Sequence, residues 1–492
     1  MLAIAFVGLA AAVLFLQTAE FGLLGFDTYP LILTSRVESW SDFVGTFSQE
    51  LMEGRYPGDF YRPVLNLTFA CDYAIWKLDP RGYQFTNILL FGCSALTVFG
   101  VAQRLLGGCC RLAPFVALVV FLLHPTHFEV IPVPARRPEM LACTFMGASL
   151  IVQLSPRALA MRRPALLPVV PTVLAIMSKE TAYMTPVLVL TAVVLYSTRA
   201  NLIARVRHAA ASAAPHVVAV GALLAARYAV LGGIGGHANK GFSVTIDNAW
   251  GVLVDVVNGV FLPQPTMQTS AAKLILVIMA AGAGLTIALT WRRRDDRGSP
   301  DVDRLPLKGA IVGGTWVLAC TATYVAVGSI EAWYLFLAVG GWGVIVGGFV
   351  ETLVCAARVR ARTARGAAVF TLVLLCVQVG WVATYSPLFR RYDEWRRATA
   401  ASERFLRELE IRVVDADPGS LVMAPPIPEW VEPKKTEPTV FGAAVLWDYS
   451  VQAWLELTLP HLNARVQPAG TSVVRRNAEE IVVVLTRRLD AF

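Results

Sequence analysis

Charged side chains are scarce in this sequence. Asp, Glu, Lys and Arg make up 16% of its 492 residues, whereas a soluble domain usually has about 25%. Hydrophobic residues make up 56%, and the mean hydropathy is +0.57. This balance excludes a large soluble enzyme and predicts an integral membrane protein. The net charge of +8 therefore does not indicate a nucleic-acid partner, because Lys and Arg collect in the cytoplasmic loops of membrane proteins.

Cysteine is also sparse and forms no metal or disulfide pattern. The eight cysteines include no C-x-x-C pair, which argues against the framework of a small secreted domain. Most lie in or beside apolar runs, so we expect them to be small buried hydrophobes. No repeat of about 30–50 residues is visible, which excludes a solenoid. The first apolar run lacks a basic flank and a convincing cleavage site, so we expect it to be retained as a membrane span.

Long apolar runs are what the sequence has instead. A helix needs about 20 apolar residues to cross a bilayer, and roughly eleven runs approach that length by this measure. They lie at about 2–18, 85–103, 112–125, 139–155, 165–179, 182–198, 210–230, 272–290, 308–327, 332–355 and 367–385. Short Arg-dense connections alternate with longer ones, which predicts a cytoplasmic N-terminus and an extracytoplasmic C-terminus. The predicted outer connections are 19–84, 125–138, 231–271 and the tail from 386.

The fold that these patterns predict is mainly α, a polytopic membrane protein of about 11 transmembrane helices. In the first outer loop, PVLNLTFACDYAIW (63–76) predicts a helix lying in the membrane interface, and 250–262 predicts a second one. From residue 386 the sequence changes to a charged amphipathic helix, a Pro-rich segment and short strand-like runs. We therefore predict a transmembrane domain at 1–385 and a small extracytoplasmic α/β domain at 386–492.

The first outer loop contains two candidates for chemistry. Asp27 follows the first span, where a carboxylate can act as a base toward a hydroxyl; a solvated loop residue is the alternative. Arg62, between Tyr61 and Pro63, can bind a phosphate with its forked guanidinium. An Arg that merely extends toward the headgroups would give the same pattern. We include Tyr61 with Arg62 among the candidate substrate-binding residues.

The outer hairpin at 121–140, FLLHPTHFEVIPVPARRPEM, is rich in ionisable side chains. They are His124, His127, Glu129, Arg136, Arg137 and Glu139. Such groups are costly at membrane depth and often mark functional sites, so we predict hydrogen bonds to sugar hydroxyls or phosphate oxygens. A divalent metal is the less favoured interpretation, because the spacing is not H-E-x-x-H and Pro125 interrupts any helix. No cofactor is predicted.

Two further segments place charges beside apolar runs. IMSKETAYMTP (176–186) contains Lys179 and Glu180, which form either a simple ion pair or a site where Lys179 neutralises a phosphate leaving group. AARYAVLGGIGGH (225–237) ends a span with Arg227, and its glycines permit close backbone approach. The predicted topology assigns all the candidates to one membrane face. That placement suits a lipid-linked phosphate donor and an acceptor that arrives from outside.

In their order, these segments resemble the GT-C superfamily of polytopic glycosyltransferases. The likeness is greatest to bacterial relatives of the transmembrane and tetratricopeptide-repeat O-mannosyltransferases and of the protein O-mannosyltransferases. It extends over about residues 20–345. The residues that carry it are FDTYP after the first span, YRPVLNLTFACDYAIWKLDPRGYQFTNILL, HPTHFEVIPVPARRPEML, SKETAYMTP, RYAVLGGIGGH and, more weakly, EAWYLFLAVGG.

The resemblance implies an inverting glycosyltransferase. Such an enzyme moves a sugar, here with mannose as one candidate, from a polyprenyl-phosphate donor to an acceptor hydroxyl on the outer face of the membrane. The resemblance also implies that Asp27 is the catalytic base and that other matching positions line the cavity. These positions are Arg62, His124, His127, Glu129, Arg137, Glu139, Lys179 and Arg227.

Some positions depart from the family pattern. Thr28 stands where relatives often have a second acidic residue, which weakens a metal-assisted mechanism. Phe91 replaces a common His, and Ala332 and Trp333 stand where an Arg is usual, so donor and acceptor specificity stay open. A lipid or glycan transporter is the alternative function, although the sequence shows no inverted repeats. A scaffold whose tail binds a partner is a further alternative.

Composition also suggests where the protein is found. Arg and Ala are frequent and Lys is rare, as in bacteria with a high genomic GC content, so the expected location is the inner membrane of a bacterium. The expected partners are a polyprenyl-phosphate sugar, membrane lipid and a protein or glycan acceptor that the sequence does not specify.

Overall fold

A computed structural model describes most of the chain. The described residues are 2–56, 58–106, 112–161, 163–233, 245–261, 305–325, 330–357, 369, 376, 393–424, 430–431, 443–468 and 481–483. The predicted span at 272–290 lies outside them. Only two residues of the predicted span at 367–385 fall within them.

The described chain is mainly helical, as predicted. Its α-helices are α1 (Leu2–Phe15), α2 (Thr28–Thr34), α3 (Trp40–Gly45), α4 (Pro63–Trp76), α5 (Pro80–Leu106), α6 (Leu112–Leu122), α7 (His127–Val130), α8 (Pro138–Gln153), α9 (Pro156–Ala160), α10 (Val169–Ile176), α11 (Thr185–Tyr196), α12 (Leu202–Leu231), α13 (Ile246–Val256), α14 (Leu305–Ala322), α15 (Phe336–Ala357), α16 (Asp393–Val413) and α17 (Asp448–Thr458). Short 3-10 helices span Leu16–Glu20, Leu51–Gly54, Pro134–Arg136, Glu180–Met184, Ala332–Leu335 and Pro460–Leu462, and a π-helix spans Val257–Phe261.

Several predicted elements match the observed ones closely. The predicted helix at 63–76 is α4, which begins at Pro63. Backbone N–H groups in the first turn of a helix have no partner within the helix, so the N–H that proline lacks is not needed there. The predicted runs at 165–179 and 182–198 contain one α-helix each, α10 and α11. The polar residues Ser178, Lys179 and Glu180 lie between them.

The chain divides into two compact units, each assembled from separate segments. Unit 1 comprises Met1–Leu14, Leu89–Phe128 and Pro138–Arg390, and unit 2 comprises Phe15–Ile88, Glu129–Arg137 and Arg391–Phe492. The predicted domain boundary between 385 and 386 stays a prediction.

Unit 1 holds apolar helices that pack through glycine. A Cβ atom added to Gly341 would lie 2.6 Å from the carbonyl oxygen of Gly313, and one added to Gly343 would lie 2.7 Å from that of Ala117. Small residues at these crossings let the helix backbones touch, as is common in membrane bundles. Three described helical stretches are long and apolar enough to cross a membrane. They are Pro80–Leu106, Leu202–Leu231 and Ala332–Thr352.

Unit 2 combines helices with a parallel sheet. The strands are β1 (Leu421–Ala424), β2 (Trp430–Val431), β3 (Ala443–Ala444), β4 (Arg465–Pro468) and β5 (Ile481–Val483). In the three-stranded sheet, β1 lies between β4 and β5 and is parallel to both, with Leu421 opposite Arg465 and Ile481. Strands β2 and β3 pair antiparallel. Helix α16 is amphipathic and buries Trp395 and Phe405, so the described tail contains both helices and strands.

Candidate active site

A tight turn in unit 2 presents Asp27. Gly25 has a φ of 95°, a conformation that residues with a side chain rarely adopt, and a Cβ atom there would overlap Val133. The backbone N–H of Gly25 donates to the carbonyl of Val445 at 3.0 Å. Thr28 is fully buried, and its hydroxyl donates to the carbonyl of Leu24 at 2.6 Å. Thr28 thus closes the turn, and a carboxylate in its place would face that carbonyl.

Asp27 immediately precedes α2, but its side chain does not cap that helix. Its Oδ1 instead accepts a hydrogen bond of 2.7 Å from the hydroxyl of Tyr449. The residue is partly buried, and burial raises the pKa of the Asp27 carboxyl. The Tyr449 hydrogen bond and the charges of Arg62 and Arg136 act in the opposite direction. A partly accessible carboxylate with a raised pKa is suited to general-base work.

Two arginines of unit 2 act on the charge of Asp27. Arg62 is partly buried just before α4, with its guanidinium 4.1 Å from the centre of the Phe60 ring. Arg136 ends the 3-10 helix Pro134–Arg136 and lies 3.3 Å from Oε2 of Glu129. Their positive charge favours the ionised carboxylate. Asp27 and these two cations therefore form a group that can take up a proton and attract an anion.

Tyr61 and Arg137 have mainly internal contacts. Tyr61 is buried, and its hydroxyl donates to the carbonyl of Phe47 at 2.8 Å. Arg137 is fully buried: its Nη2 lies 2.6 Å from Oδ2 of Asp72, and its Nε donates to Oδ1 of Asn87 at 3.0 Å. Such a buried pair fixes the chain around it. A substrate contact for either residue stays a prediction.

In unit 1, the predicted substrate-binding residues Glu139, Lys179, Glu180 and Arg227 form two ion pairs. Lys179 pairs with Glu139 through Nζ and Oε1, and both side chains are buried. The Lys179 ammonium also lies 4.3 Å from the centre of the Tyr334 ring. Arg227 pairs with Glu180 at 2.8 Å, between Nη1 and Oε1. Because each cation already has a carboxylate partner, an anion that binds here must compete with Glu139 or Glu180.

The two histidines of the hairpin are buried in unit 1. Nδ1 of His124 accepts from the backbone N–H of Thr126 at 3.2 Å, and its Nε2 lies 2.9 Å from the carbonyl of Val260. A neutral ring that donates from Nε2 satisfies both contacts. His127 lies among aromatic rings, with Phe91 at 4.7 Å and Phe336 at 4.9 Å between ring centroids. Phe91, one of the departures from the family pattern, is thus part of the wall around His127.

Unit 1 also contains an apolar groove of about 570 Å³. It is lined by Leu166, Val169, Val170, Val173, Leu174, Pro215, Val218, Ala219 and Ala222. Lys179 follows the lining residue Leu174 by five positions, and Arg227 follows Ala222 by five positions. Since Glu180 and Arg227 are paired, the chain just beyond both lining segments meets at the same place. The Arg227–Glu180 ion pair therefore lies a short way along the chain beyond both segments that line the groove.

The predicted site residues fall into two groups. Asp27, Tyr61, Arg62, Glu129 and Arg137 belong to unit 2, whereas His124, His127, Glu139, Lys179, Glu180 and Arg227 belong to unit 1. The convergence of all of them on one pocket stays a prediction. Within the described ranges, no three His, Cys, Asp or Glu side chains are grouped as metal ligands would be; whether a metal takes part stays a prediction as well.

Sequence reasoning missed Tyr449 and Asp72. Tyr449 contacts Asp27 from 422 positions away, and Asp72 contacts Arg137 from 65 positions away. No local pattern marks such pairs. The available signals were the run WDYS at the start of α17 and a lone acidic residue inside the apolar helix α4.

The described part of the chain has three helices long and apolar enough to cross a membrane, and it also buries charged side chains, a combination that fits a helical membrane protein. No family model matches it. The chain is 29% identical over 145 residues to the protein O-mannosyl-transferase Tmtc1 of Drosophila melanogaster, a stretch covering 29% of this chain and 16% of that protein. It is 28% identical over 127 residues to the protein O-mannosyl-transferase F38B6.6 of Caenorhabditis elegans, covering 25% and 18%. The matches confirm the predicted resemblance, and they span less than a fifth of each relative.

Two solved structures also align with most of this chain. ArnT from Cupriavidus metallidurans, bound to undecaprenyl phosphate, aligns with a TM-score of 0.44 and 14% identity, covering 86% of this chain and 82% of that one. The oligosaccharyltransferase AglB from Archaeoglobus fulgidus, in complex with an inhibitory peptide and a dolichol-phosphate, aligns with a TM-score of 0.44 and 11% identity. This second alignment covers 95% of this chain and 64% of that one.

Proposed function

We propose that this protein is an inverting glycosyltransferase. It moves a sugar from a polyprenyl-phosphate donor to an acceptor hydroxyl on the outer face of the membrane, and mannose is one candidate sugar. The observation that carries the proposal is the group around Asp27, a partly accessible carboxylate with Arg62 and Arg136 acting on its charge. Sequence similarity to O-mannosyl-transferases supports the same reaction class.

In the proposed reaction, one displacement transfers the sugar. The acceptor hydroxyl attacks the anomeric carbon while its proton passes to Asp27. The bond between the anomeric carbon and the phosphate oxygen breaks, and its electron pair leaves with the lipid phosphate. A single displacement inverts the anomeric centre. Arg62 and Arg136 oppose the effect of burial on Asp27, because nearby positive charge favours the carboxylate over the carboxylic acid.

We assign the lipid part of the donor to unit 1. The apolar groove next to Pro215 fits a hydrocarbon chain, because its lining is apolar throughout. The lipid phosphate is then bound by Arg227 and Lys179, which compete with their carboxylate partners for it. For His124, His127, Glu129, Arg137 and Glu139, the cavity-lining roles that the family resemblance implies remain part of the proposal.

The proposed topology completes this account. It has about 11 spans, an interfacial helix at 63–76 and an outer C-terminal α/β segment. In this topology the N-terminus lies in the cytoplasm of a bacterium and the chemistry takes place outside. The acceptor is then a protein or glycan of the cell envelope. The proposal needs no divalent metal and no other cofactor.

The test is donor consumption by the purified protein. The full chain, in detergent or liposomes, is incubated with a panel of polyprenyl-phosphate sugars together with peptide and oligosaccharide acceptors. The lipid and sugar products are followed by mass spectrometry, and the anomeric configuration of the product is read by NMR. Cleavage of one donor to lipid phosphate, with an inverted sugar product, is the expected result. Transbilayer movement of a donor with its sugar–phosphate bond intact would instead establish a transporter and overturn the proposal.

A further inference from the structure

The start of α17 is seated on the turn that carries Asp27. Tyr449 donates its hydroxyl hydrogen to Oδ1 of Asp27 at 2.7 Å, and the neighbouring hydroxyl of Ser450 donates to the carbonyl of Phe26 at 2.5 Å. The Trp447 ring meets the Phe26 ring edge-on at 5.1 Å. Successive residues of the C-terminal segment therefore contact the Asp27 turn, and one of them reaches the carboxylate itself.

A second set of contacts fixes α17 in this position. Glu456 pairs with Arg55 at 2.6 Å, and the Gln452 side chain joins α17 to β4. Gln452 accepts the backbone N–H of Val466 at 2.8 Å and donates to the carbonyl of Ala464 at 3.0 Å. The helix that carries Tyr449 is thus anchored both to the first outer loop and to the parallel sheet.

The charged and titratable groups acting on Asp27 come from three elements of unit 2. They are Arg62 before α4, Arg136 of the 3-10 helix Pro134–Arg136, and Tyr449 of α17. Among the residues that the structure describes, Tyr449 supplies the hydrogen bond to the Asp27 side chain. Because that bond uses Oδ1, it fixes the rotation of the carboxylate and leaves Oδ2 to face a second donor, such as an acceptor hydroxyl.

We propose that Tyr449 is a positioning residue for Asp27, so that the C-terminal segment completes the general base rather than forming a separate module. This inference rests on the proposed function, in which Asp27 takes up the acceptor proton. Tyr449 stabilises the carboxylate over the carboxylic acid, because a neutral phenol donates a stronger hydrogen bond to a charged oxygen. Loss of its hydroxyl therefore raises the pH at which Asp27 gains a proton.

The experiment measures that pH without requiring turnover. A hydrophobic carbodiimide reacts with protonated carboxyl groups, so its labelling of Asp27 falls as pH rises through the midpoint. Labelling of the full chain is quantified by peptide mass spectrometry across a pH series, with Asp27→Asn as the site control. For Tyr449→Phe we expect the midpoint to rise by about one pH unit, from the usual strength of hydrogen bonds to charged groups.

Tyr56→Phe is the matched control. Its ring lies 5.8 Å from that of Tyr449, and it is a buried tyrosine without a hydrogen bond to Asp27. Its midpoint should equal that of the wild type. Equal midpoints for Tyr449→Phe and Tyr56→Phe would overturn the inference. If Tyr449→Phe does not fold, the wild-type protein is instead produced with 3-fluorotyrosine in place of tyrosine. The fluorinated phenol is a stronger hydrogen-bond donor, so the labelling midpoint of Asp27 should fall. An unchanged midpoint would overturn the inference equally.

The same variants separate this inference from the proposed function. With an active donor, Tyr449→Phe should shift the acid limb of kcat to higher pH and change KM for the donor little. If the wild type transfers no sugar while the labelling midpoint still shifts, the pairing of Tyr449 with Asp27 stands and the proposed function fails. If transfer proceeds with an unshifted acid limb in Tyr449→Phe, the proposed function stands and the inference fails.

Discussion

Replacing Arg137 by Met should destabilise unit 2 severely. Arg137 is fully buried, and its guanidinium contacts Asp72, Asn87 and Thr68 with distances of 2.6, 3.0 and 3.2 Å. It also lies 4.7 Å from the centre of the Phe69 ring. These contacts attach the segment Glu129–Arg137 to α4 and α5. Removing the cation leaves a buried carboxylate without its positive partner.

The expected magnitude follows from that geometry. Breaking a buried ion pair by removing one partner costs about 3–5 kcal/mol, because the remaining charge stays away from water. Asp72→Asn should also destabilise unit 2, because it leaves the Arg137 cation buried without a negative partner, although the amide oxygen of Asn can still accept from Arg137. The double variant Asp72→Asn, Arg137→Met should be more stable than the sum of the single effects predicts, because it leaves no unpaired charge.

The assay is thermal unfolding of the purified full chain in detergent, read by intrinsic fluorescence. A loss of about 3–5 kcal/mol corresponds to a midpoint shift on the order of 10 °C. Arg407→Met, at an exposed position of α16, is the control and should shift the midpoint little. A shift for Arg137→Met no larger than that of the control would refute the reasoning that this pair holds the hairpin in place.

Three further outcomes are expected. Lys179→Met should lower the free energy of unfolding of unit 1 by about 3–5 kcal/mol, and adding Glu139→Gln should recover part of this loss. A double-mutant cycle of thermal unfolding measures both effects. If the losses of the two single variants simply add, the result would contradict the buried pair. In the same assay, Gly341→Ala should lower the free energy of unfolding by about 1–3 kcal/mol, because the added methyl group meets the backbone of the neighbouring helix. Gly314→Ala is the control and should cause no loss, because nothing lies within 4 Å of the added atom. The transfer rate should fall as pH drops through the raised pKa of Asp27, because protonation removes the base. A pH–rate profile whose acid limb lies at or below pH 3.8, the unshifted pKa of an aspartate, would contradict this.

Helix positions could largely be predicted because they depend on local pattern. Pro63 and the apolar residues after it mark the start of α4, and the polar residues around Lys179 mark the break between α10 and α11. The charged amphipathic pattern after residue 386 likewise indicates α16. In each case, short-range rules on helix starts and hydrophobic periodicity were sufficient.

The details of the candidate site could not be predicted in the same way. The buried partners of Arg137 and Lys179, which are Asp72 and Glu139, could not be predicted, because the partner of a charge depends on tertiary packing. Tyr449 is 422 positions from Asp27, so nothing in the sequence near either residue indicates the contact. The sequence identified Asp27 itself because of its position directly after the first span.

The most direct test of the central claim is Asp27→Asn in a single-turnover reaction. Enzyme in excess is mixed with the polyprenyl-phosphate sugar that the wild type consumes and with the acceptor used in that reaction, and donor binding is measured in parallel by native mass spectrometry. The account predicts that Asp27→Asn binds the donor about as well as the wild type does but releases no lipid phosphate, because the acceptor proton has no base to receive it. Near-normal release of lipid phosphate by Asp27→Asn would contradict the account.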